Sequence, residues 1–504
     1  MKSILVPALS LASLAWAAKP KPLVTPDALQ DLIKLDDLLE GSQQLQDFAY
    51  AYPDRNRVFG GKAHNDTVNW LYRELKRTGY YDVYRQPQVH LYTNAEQSLT
   101  VNGEAIEAQT MTYSPSANAT GAELAVISGL GCGPADFPAD VAGKVALIQR
   151  GNCTFGEKSV YAAAAGASAA IVYNNVEGTV SGTLGAAQSE LGPYAGIVGI
   201  TLADGEALIA LTEAGPVTVD LWIESVMENR TTYNVIAQTK GGDPNNVVSL
   251  GGHSDSVEAG PGINDDGSGI ISNLIIARAL TQFSTKHAVR FCFWTAEEFG
   301  LLGSEYYVSS LSPAELAKIR LYLNFDMIAS PNYGLLLYDG DGSAFNLTGP
   351  AGSDAIEKLF YDYFQSVGQA TMETEFDGRS DYEAFILNGI PAGGVFTGAE
   401  GVKTEEEVAL WGGEAGIAYD ENYHQVGDTF DNLNTEAYLM NSKATAFAVA
   451  TYANDLSTIP KTNVTTVVKR SDVNGHMHRR TMPKKRQTVH RHSAKGCFHS
   501  REAL

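Results

Sequence analysis

From about residue 232 onward, short apolar runs alternate with stretches of helical periodicity. This alternation predicts an α/β fold with a mixed, mostly parallel sheet and helices on both of its faces. Open sheets of this kind build their sites at the carboxyl ends of strands, so functional residues are expected there. Strands are predicted at 233–238, 247–250, 289–294, 320–325 and 390–396, and helices at 268–281 and 437–456.

Several of these apolar runs end in, or are followed by, residues that bind metal ions. Zinc accepts imidazole nitrogen and carboxylate oxygen, and catalytic zinc keeps one position open for water or substrate. The candidate ligands stand in the segments GGHSDSVEAGPGINDDGSG, FWTAEEFGLLGS, LYLNFDMI and NYHQVGDTFDN, and they are His253, Asp265, Glu298, Asp326 and His424. Five side chains are too few for two separate closed sites, but they suffice for two ions if one carboxylate bridges.

Charge supports a bridged pair of zinc ions. Three carboxylates and one hydroxide would balance the charge of two divalent ions, which removes much of the cost of burying them. In this arrangement His253 and Asp326 complete one ion, Glu298 and His424 complete the other, and Asp265 touches both. Cobalt or manganese would satisfy the same ligands.

Glu297 stands beside the candidate ligand Glu298. Neighbouring side chains cannot both point at one ion without distortion, so Glu297 is free to take a proton from a water and pass it to a leaving amine. Asp255, two residues after His253, could hold the other nitrogen of that imidazole. The set therefore indicates metal-assisted hydrolysis, while His64, His90 and His287 are assigned structural roles.

The beginning of the chain has the pattern of a cleavable export signal. Lys2 precedes an apolar stretch that ends in small residues near position 17, and this stretch is too short to span a membrane. Six Asn-x-Ser/Thr triplets agree with a secreted glycoprotein. The net charge is −22 although the last residues are rich in Lys and Arg, so the rest of the chain is unsuited to nucleic acid.

We expect five segments along the chain. They are a signal peptide at 1–18, a first part of the main domain at 19–115, an inserted domain at 116–225, the rest of the main domain at 226–460, and a basic tail at 461–504. The insert is rich in Gly and Ala, with predicted strands at 145–148 and 171–173 around a predicted helix at 161–170. The tail is either a solvated disordered segment or a propeptide that is trimmed at its dibasic steps.

One disulfide is predicted from the four cysteines of the chain. Cys132 and Cys153 stand in one turn-rich part of the insert and could pair in an oxidising compartment. Cys292 lies in an apolar run and is expected in the core, whereas the role of Cys497 in the basic tail stays open.

As a set, the motifs of this chain resemble those of the secreted double-zinc aminopeptidases. This family includes bacterial secreted aminopeptidases, the yeast vacuolar aminopeptidase Y and, most similar to this chain, the leucine aminopeptidases of filamentous fungi. The resemblance runs to about residue 460 and rests on the motifs HSDS at 253–256, GINDDGSG at 262–269, TAEEFG at 295–300, NFDM at 324–327 and YH at 423–424.

The resemblance implies a role for each matching residue. It implies the five ligands named above with Asp265 as the bridge, Glu297 as general base and Asp255 as the partner of a ligand imidazole. It also implies a cis peptide between Asp265 and Asp266, and a Tyr423 that donates to the tetrahedral oxyanion. The insert resembles a protease-associated domain of α+β type, in which the two cysteines are paired.

The expected function is removal of N-terminal residues, preferentially Leu and other large neutral ones, from peptides and proteins outside the cell by a monomer. Arg379 would orient the substrate or the oxyanion, unless it forms a structural ion pair with Asp377 or Asp381. Two alternatives stay open. In the first, a double-zinc carboxypeptidase or dipeptidase, Arg379 would bind a carboxylate of the substrate. In the second, a binding glycoprotein, the metal site would be vestigial. The intact ligands argue against this second alternative.

Overall fold

The computed structural model describes residues 20–462, 464 and 466–468. The expected signal peptide, the dibasic steps, Asn463 and Cys497 lie outside the described residues. The chain forms two compact units, of which one combines the residues up to Gln88 with those from Thr231 onward, and the other spans Val89–Arg230. The insert boundaries at 116 and 225 stay a prediction.

The helices of the described residues include three before the first strand and those that follow the central strands. None of them has the length and apolarity needed to cross a membrane. They are α1 (Pro26–Gln30), α2 (Leu35–Tyr50), α3 (Lys62–Arg77), α4 (Phe155–Ala164), α5 (Leu202–Ala214), α6 (Gly267–Leu280), α7 (Leu302–Ser310), α8 (Pro313–Leu316), α9 (Ser353–Ser366), α10 (Tyr382–Ile386), α11 (Glu405–Trp411) and α12 (Thr435–Tyr452).

The strands overlap every run that the sequence predicted as a strand. The central strands β9, β10 and β11 are buried over most of their length, as expected of strands that are covered on both faces. They are β1 (Tyr81–Val101), β2 (Glu104–Ala105), β3 (Gln109–Thr110), β4 (Ala117–Val126), β5 (Val145–Gln149), β6 (Ala169–Tyr173), β7 (Ile197–Ile200), β8 (Thr218–Thr239), β9 (Asp243–His253), β10 (His287–Trp294), β11 (Ile319–Phe325), β12 (Leu336–Tyr338), β13 (Met372–Thr374) and β14 (Ala392–Phe396).

In the first unit the strand order is β13-β12-β14-β11-β9-β10-β8. Strand β9 lies between β10 and β11 and is parallel to both, while β11 is also parallel to β14. The antiparallel pairs are β10 with β8 and β12 with β14. Every residue of helix α6 except Arg278 is buried. The mixed, mostly parallel sheet with flanking helices is therefore confirmed.

The second unit is built around the parallel strands β4, β5, β6 and β7, with β3 antiparallel to β7 and β8 antiparallel to β4. Cys132 and Cys153 form a disulfide, as expected. In the first unit Cys292 is a buried free thiol.

The helix predicted at 161–170 was placed too far along the chain. Helix α4 begins at Phe155 because Thr154 and Glu157 form a capping box. It ends before Gly166, whose φ of 80° is left-handed, and Ala169 already belongs to β6. The run of alanines misled the prediction because alanine fits a buried strand as well as a helix.

Candidate metal centre

Three neighbouring strands of the first unit carry most of the centre at their carboxyl ends. His253 is the last residue of β9, and Asp326 follows the last residue of β11. Glu297 and Glu298 come three and four residues after the end of β10. Because β9 is parallel to both neighbours, these side chains arrive at one edge of the sheet.

Asp265 places one carboxylate oxygen against each of the two histidines. Its Oδ1 lies 3.1 Å from His253 Nε2, and its Oδ2 lies 3.2 Å from His424 Nε2. Asp326 Oδ1 is 3.5 Å from His253 Nε2, and Glu298 Oε2 is 3.0 Å from His424 Nε2. The five predicted ligands therefore come together as two groups that share Asp265.

Asp266, joined to Asp265 by a cis peptide bond as the resemblance implied, ties the surrounding backbone together. Its Oδ2 accepts from the amide of His253 at 3.1 Å, and its Oδ1 accepts from Gly269 at 2.9 Å and Met327 at 3.2 Å. A Cβ on Gly252 would lie 2.2 Å from Asp266 Oδ2, so only glycine fits there. Asp266 thus connects the ends of β9 and β11 to the start of α6.

Asp428 is a buried acceptor that the sequence did not single out. Its two carboxylate oxygens accept from the backbone amides of Asn264 at 2.8 Å and Asp265 at 3.0 Å. These bonds hold the backbone from which the Asp265 carboxylate projects. The one feature of the sequence that could have indicated Asp428 is its position four residues after His424.

Glu297 lies inside the centre, and one of its carboxylate oxygens stands close enough to His253 and Asp326 to join them around a metal ion. Its Oε2 is 3.9 Å from His253 Nε2, and burial raises the pKa of its carboxyl well above the usual value. The amide of Glu297 donates to Asp255 Oδ1 at 3.1 Å. The same oxygen is 3.7 Å from His253 Nδ1, which is longer than a hydrogen bond. Asp255 therefore contacts the backbone of Glu297 more closely than the imidazole that it was expected to hold.

Arg379 forms its ion pair with Glu400, and not with Asp377 or Asp381 as the structural alternative supposed. Its Nη1 donates to Glu400 Oε1 at 2.8 Å, and its Nη2 donates to the Tyr423 hydroxyl at 3.1 Å. Asp377 instead accepts from the backbone amide of Arg379 at 3.0 Å. Glu400 was missed because the contact is tertiary and spans 21 positions.

The electrostatics of the centre favour a bound cation. Burial acts to lower the pKa of His253, but Glu297 and the other nearby carboxylates raise it well above the usual value. Burial also opposes protonation of His424, yet hydrogen bonds to Asp265 and Glu298 raise that pKa to about 10. Carboxylates that attract a proton so strongly to two imidazoles would attract a divalent cation in its place.

Two buried carboxylate oxygens of the centre have unused capacity to bind such a cation. Among the residues that the structure describes, neither Asp326 Oδ1 nor Glu298 Oε1 has a hydrogen-bond partner, although both are buried. Donor atoms bonded to a tetrahedral zinc are about 3.3 Å apart, given bond lengths of about 2.0–2.1 Å. The 3.0–3.5 Å separations within each histidine group match this spacing. The spacing of the side chains therefore fits the coordination of zinc.

Comparison with known proteins places the chain in one family. The profile of peptidase family M28 matches residues 234–449, and that of the PA domain matches residues 119–208. The probable leucine aminopeptidase 2 of Aspergillus fumigatus is 68% identical over 98% of this chain and 97% of the relative.

Two solved structures are similar to this one. An aminopeptidase from Aneurinibacillus sp. strain AM-1 has a TM-score of 0.64 and 29% identity, over 88% of this chain and 98% of that chain. A zinc aminopeptidase from Bacillus subtilis has a TM-score of 0.58 and 27% identity, over 83% of this chain and 94% of that chain. Sequence and structure therefore agree that the chain belongs to peptidase family M28 and carries a PA domain.

Proposed function

We propose that this protein is a secreted zinc aminopeptidase that releases N-terminal residues, preferentially Leu and other large neutral ones, from peptides. The observation that carries the proposal is the position of Asp265 between two histidine groups, with Glu297 beside them. The names of the relatives, a probable leucine aminopeptidase and a zinc aminopeptidase, support the substrate and the metal. Export rests on the pattern of residues 1–18 and on the Asn-x-Ser/Thr triplets.

Two zinc ions would be held by the five ligands. His253 and Asp326 would hold one ion, Glu298 and His424 the other, and Asp265 would bind both through its two oxygens. When bound, such a pair acidifies a water near neutral pH and polarises the scissile carbonyl.

Glu297 is proposed to move the proton. Its carboxylate would take a proton from the attacking water and deliver it to the leaving amine as the peptide bond breaks. Asp255, which accepts from the Glu297 amide, would hold the backbone that carries this base. Tyr423 would donate its hydroxyl proton to the tetrahedral oxyanion.

The contacts of Arg379 favour an aminopeptidase over a carboxypeptidase. A carboxypeptidase would use the guanidinium to bind the C-terminal carboxylate of the substrate, and bidentate binding is the geometry that arginine provides. Here both terminal nitrogens of Arg379 already donate, to Glu400 and Tyr423. In an aminopeptidase the carboxylate oxygens that line the centre would instead receive the free α-amine of the substrate.

Substrate preference is expected to be broad. An apolar pocket discriminates by about 1–3 kcal/mol per methylene, so several large neutral side chains would be accepted beside Leu.

The test is to incubate the zinc-loaded protein with a Leu-initiated peptide in free and N-acetylated forms, with and without a chelator, and to identify the products by mass. We expect stepwise loss from the free N-terminus only, abolished by the chelator. Loss from the C-terminus would transfer the assignment to a carboxypeptidase. Metal binding without cleavage of either peptide would favour the binding glycoprotein.

A further inference from the structure

An ion pair lies beside Tyr423, and the proposed chemistry does not use its acidic member. Glu400 Oε1 accepts from Arg379 Nη1 at 2.8 Å, and Oε2 accepts from Nη2 at 3.3 Å. The side chains of Arg379 and Glu400 are 49% and 57% exposed. A single exposed ion pair contributes little to folding stability, so stability alone gives a weak reason for this arrangement.

The contact between Arg379 and Tyr423 determines which way the phenol can donate. A guanidinium has only donors, so in the 3.1 Å contact with Nη2 the Tyr423 oxygen is the acceptor. The hydroxyl proton of Tyr423 then points away from Arg379 and is free for another acceptor. The Tyr423 ring is itself stacked on His424, with centroids 3.8 Å apart.

Arg379 is held at both ends. Asp377 accepts from its backbone amide at 3.0 Å and from the Tyr382 hydroxyl at 2.9 Å. Glu400 binds the two terminal nitrogens and therefore fixes the rotation of the planar guanidinium. Without Glu400 the guanidinium end would keep only its 3.1 Å bond to the Tyr423 hydroxyl and its position 5.9 Å from the centre of the Tyr423 ring, and the half-exposed group could turn into solvent.

We propose that Glu400 is a positioning residue for the oxyanion site. It keeps Arg379 Nη2 directed at the Tyr423 oxygen, and so keeps the hydroxyl proton of Tyr423 available to the oxyanion. This inference rests on the proposed function. Loss of one oxyanion donor lowers kcat by about 10²–10³-fold in other hydrolases. Because Glu400 acts through Arg379, its removal is expected to cost only part of this, about tenfold.

The test compares Glu400→Ala and Glu400→Gln, each with and without Tyr423→Phe, in the zinc-loaded full chain. We expect each Glu400 variant to lower kcat about tenfold with KM within about twofold, and to change kcat less than about twofold when Tyr423→Phe is already present. Such non-additivity is the signature of coupled residues. Asp362→Ala breaks another exposed ion pair, with Lys358, and is expected to leave kcat unchanged.

The affinity for two ligands distinguishes a positioning role of Glu400 from a purely structural one. A phosphonate analogue of leucine, which imitates the tetrahedral oxyanion, should bind the Glu400 variants about tenfold more weakly, while leucine itself binds them as it binds the wild type. Additive losses in kcat, or equal weakening of both ligands, would overturn the proposal. Inactivity of the wild type would refute the proposed function, whereas an active wild type with equally active Glu400 variants would refute only the inference about Glu400.

Discussion

Replacing Arg57 with methionine is expected to destabilise the loop that joins two of the proposed ligands. Arg57 is fully buried, and it donates to the carbonyls of Ser254, Pro261 at 2.8 Å and Gly262 at 2.5 Å. These carbonyls belong to the segment between His253 and Asp265. One side chain therefore ties the N-terminal part of the chain to the loop of the metal centre.

The size of the effect follows from the three carbonyls. A buried acceptor that loses its partner costs about 1–3 kcal/mol, so three of them would cost roughly 3–9 kcal/mol. Methionine fills a similar volume and removes a buried cation, which offsets part of this loss. We expect Arg57→Met to lower the free energy of unfolding by about 2–4 kcal/mol, and Arg57→Lys to lower it less because an ammonium can replace some of the bonds.

The measurement is urea unfolding followed by tryptophan fluorescence at constant zinc concentration. Arg73→Met serves as a control, since Arg73 is exposed on α3; it should change the free energy of unfolding by no more than about 0.5 kcal/mol. If Arg57→Met is as stable as that control, the three carbonyls are satisfied in another way and the reasoning is wrong.

Three further predictions concern catalysis, the second unit and pH. Glu297→Gln should keep the wild-type zinc content but lower kcat on a Leu-initiated peptide by about 10²–10⁴-fold; metal retention with full activity would exclude Glu297 as the base. Replacing Cys132 and Cys153 with alanine removes a link across 21 positions and should cost about 3 kcal/mol of unfolding free energy, without change in zinc content; an unchanged unfolding curve would contradict this. Burial, and after it the charge of Asp341, raises the pKa of Glu357 to about 7. The stability that the protonated Glu357 carboxyl contributes is therefore fully present below about pH 4.5 and is lost as pH rises through 7. Glu357→Gln should therefore gain stability relative to the wild type between pH 5 and pH 8, and melting curves with no such trend would refute the shift.

Much of the first unit could be predicted because burial on both faces leaves a clear signal. Strands β10 and β11 are mostly apolar and β9 contains a short apolar run at 247–250, and an acid or a histidine stands at the end of each strand or within a few residues after it. Helix α4 could not be placed in the same way, because alanine is compatible with either state and only the capping box at Thr154 fixed its start.

The proposed ligands could be found from residue type and position, but their supports could not. Histidine and carboxylate residues at strand ends are unusual enough to stand out, whereas Asp428 and Glu400 lie in loops without periodicity. Their roles depend on contacts with Asp265 and Arg379 that only the tertiary fold creates. The two-residue spacing of His253 and Asp255 predicted a bond from the imidazole to the Asp255 carboxylate. That carboxylate lies closer to the backbone amide of Glu297, because the turn after β10 approaches Asp255.

The most direct test of the account is anomalous diffraction at the zinc edge from crystals of the zinc-loaded protein. The account predicts two zinc peaks about 3.5–4 Å apart, one beside His253 and Asp326 and the other beside His424 and Glu298, with Asp265 between them. A single peak, or a second peak outside the reach of Asp265, would contradict the shared site on which the proposed function depends.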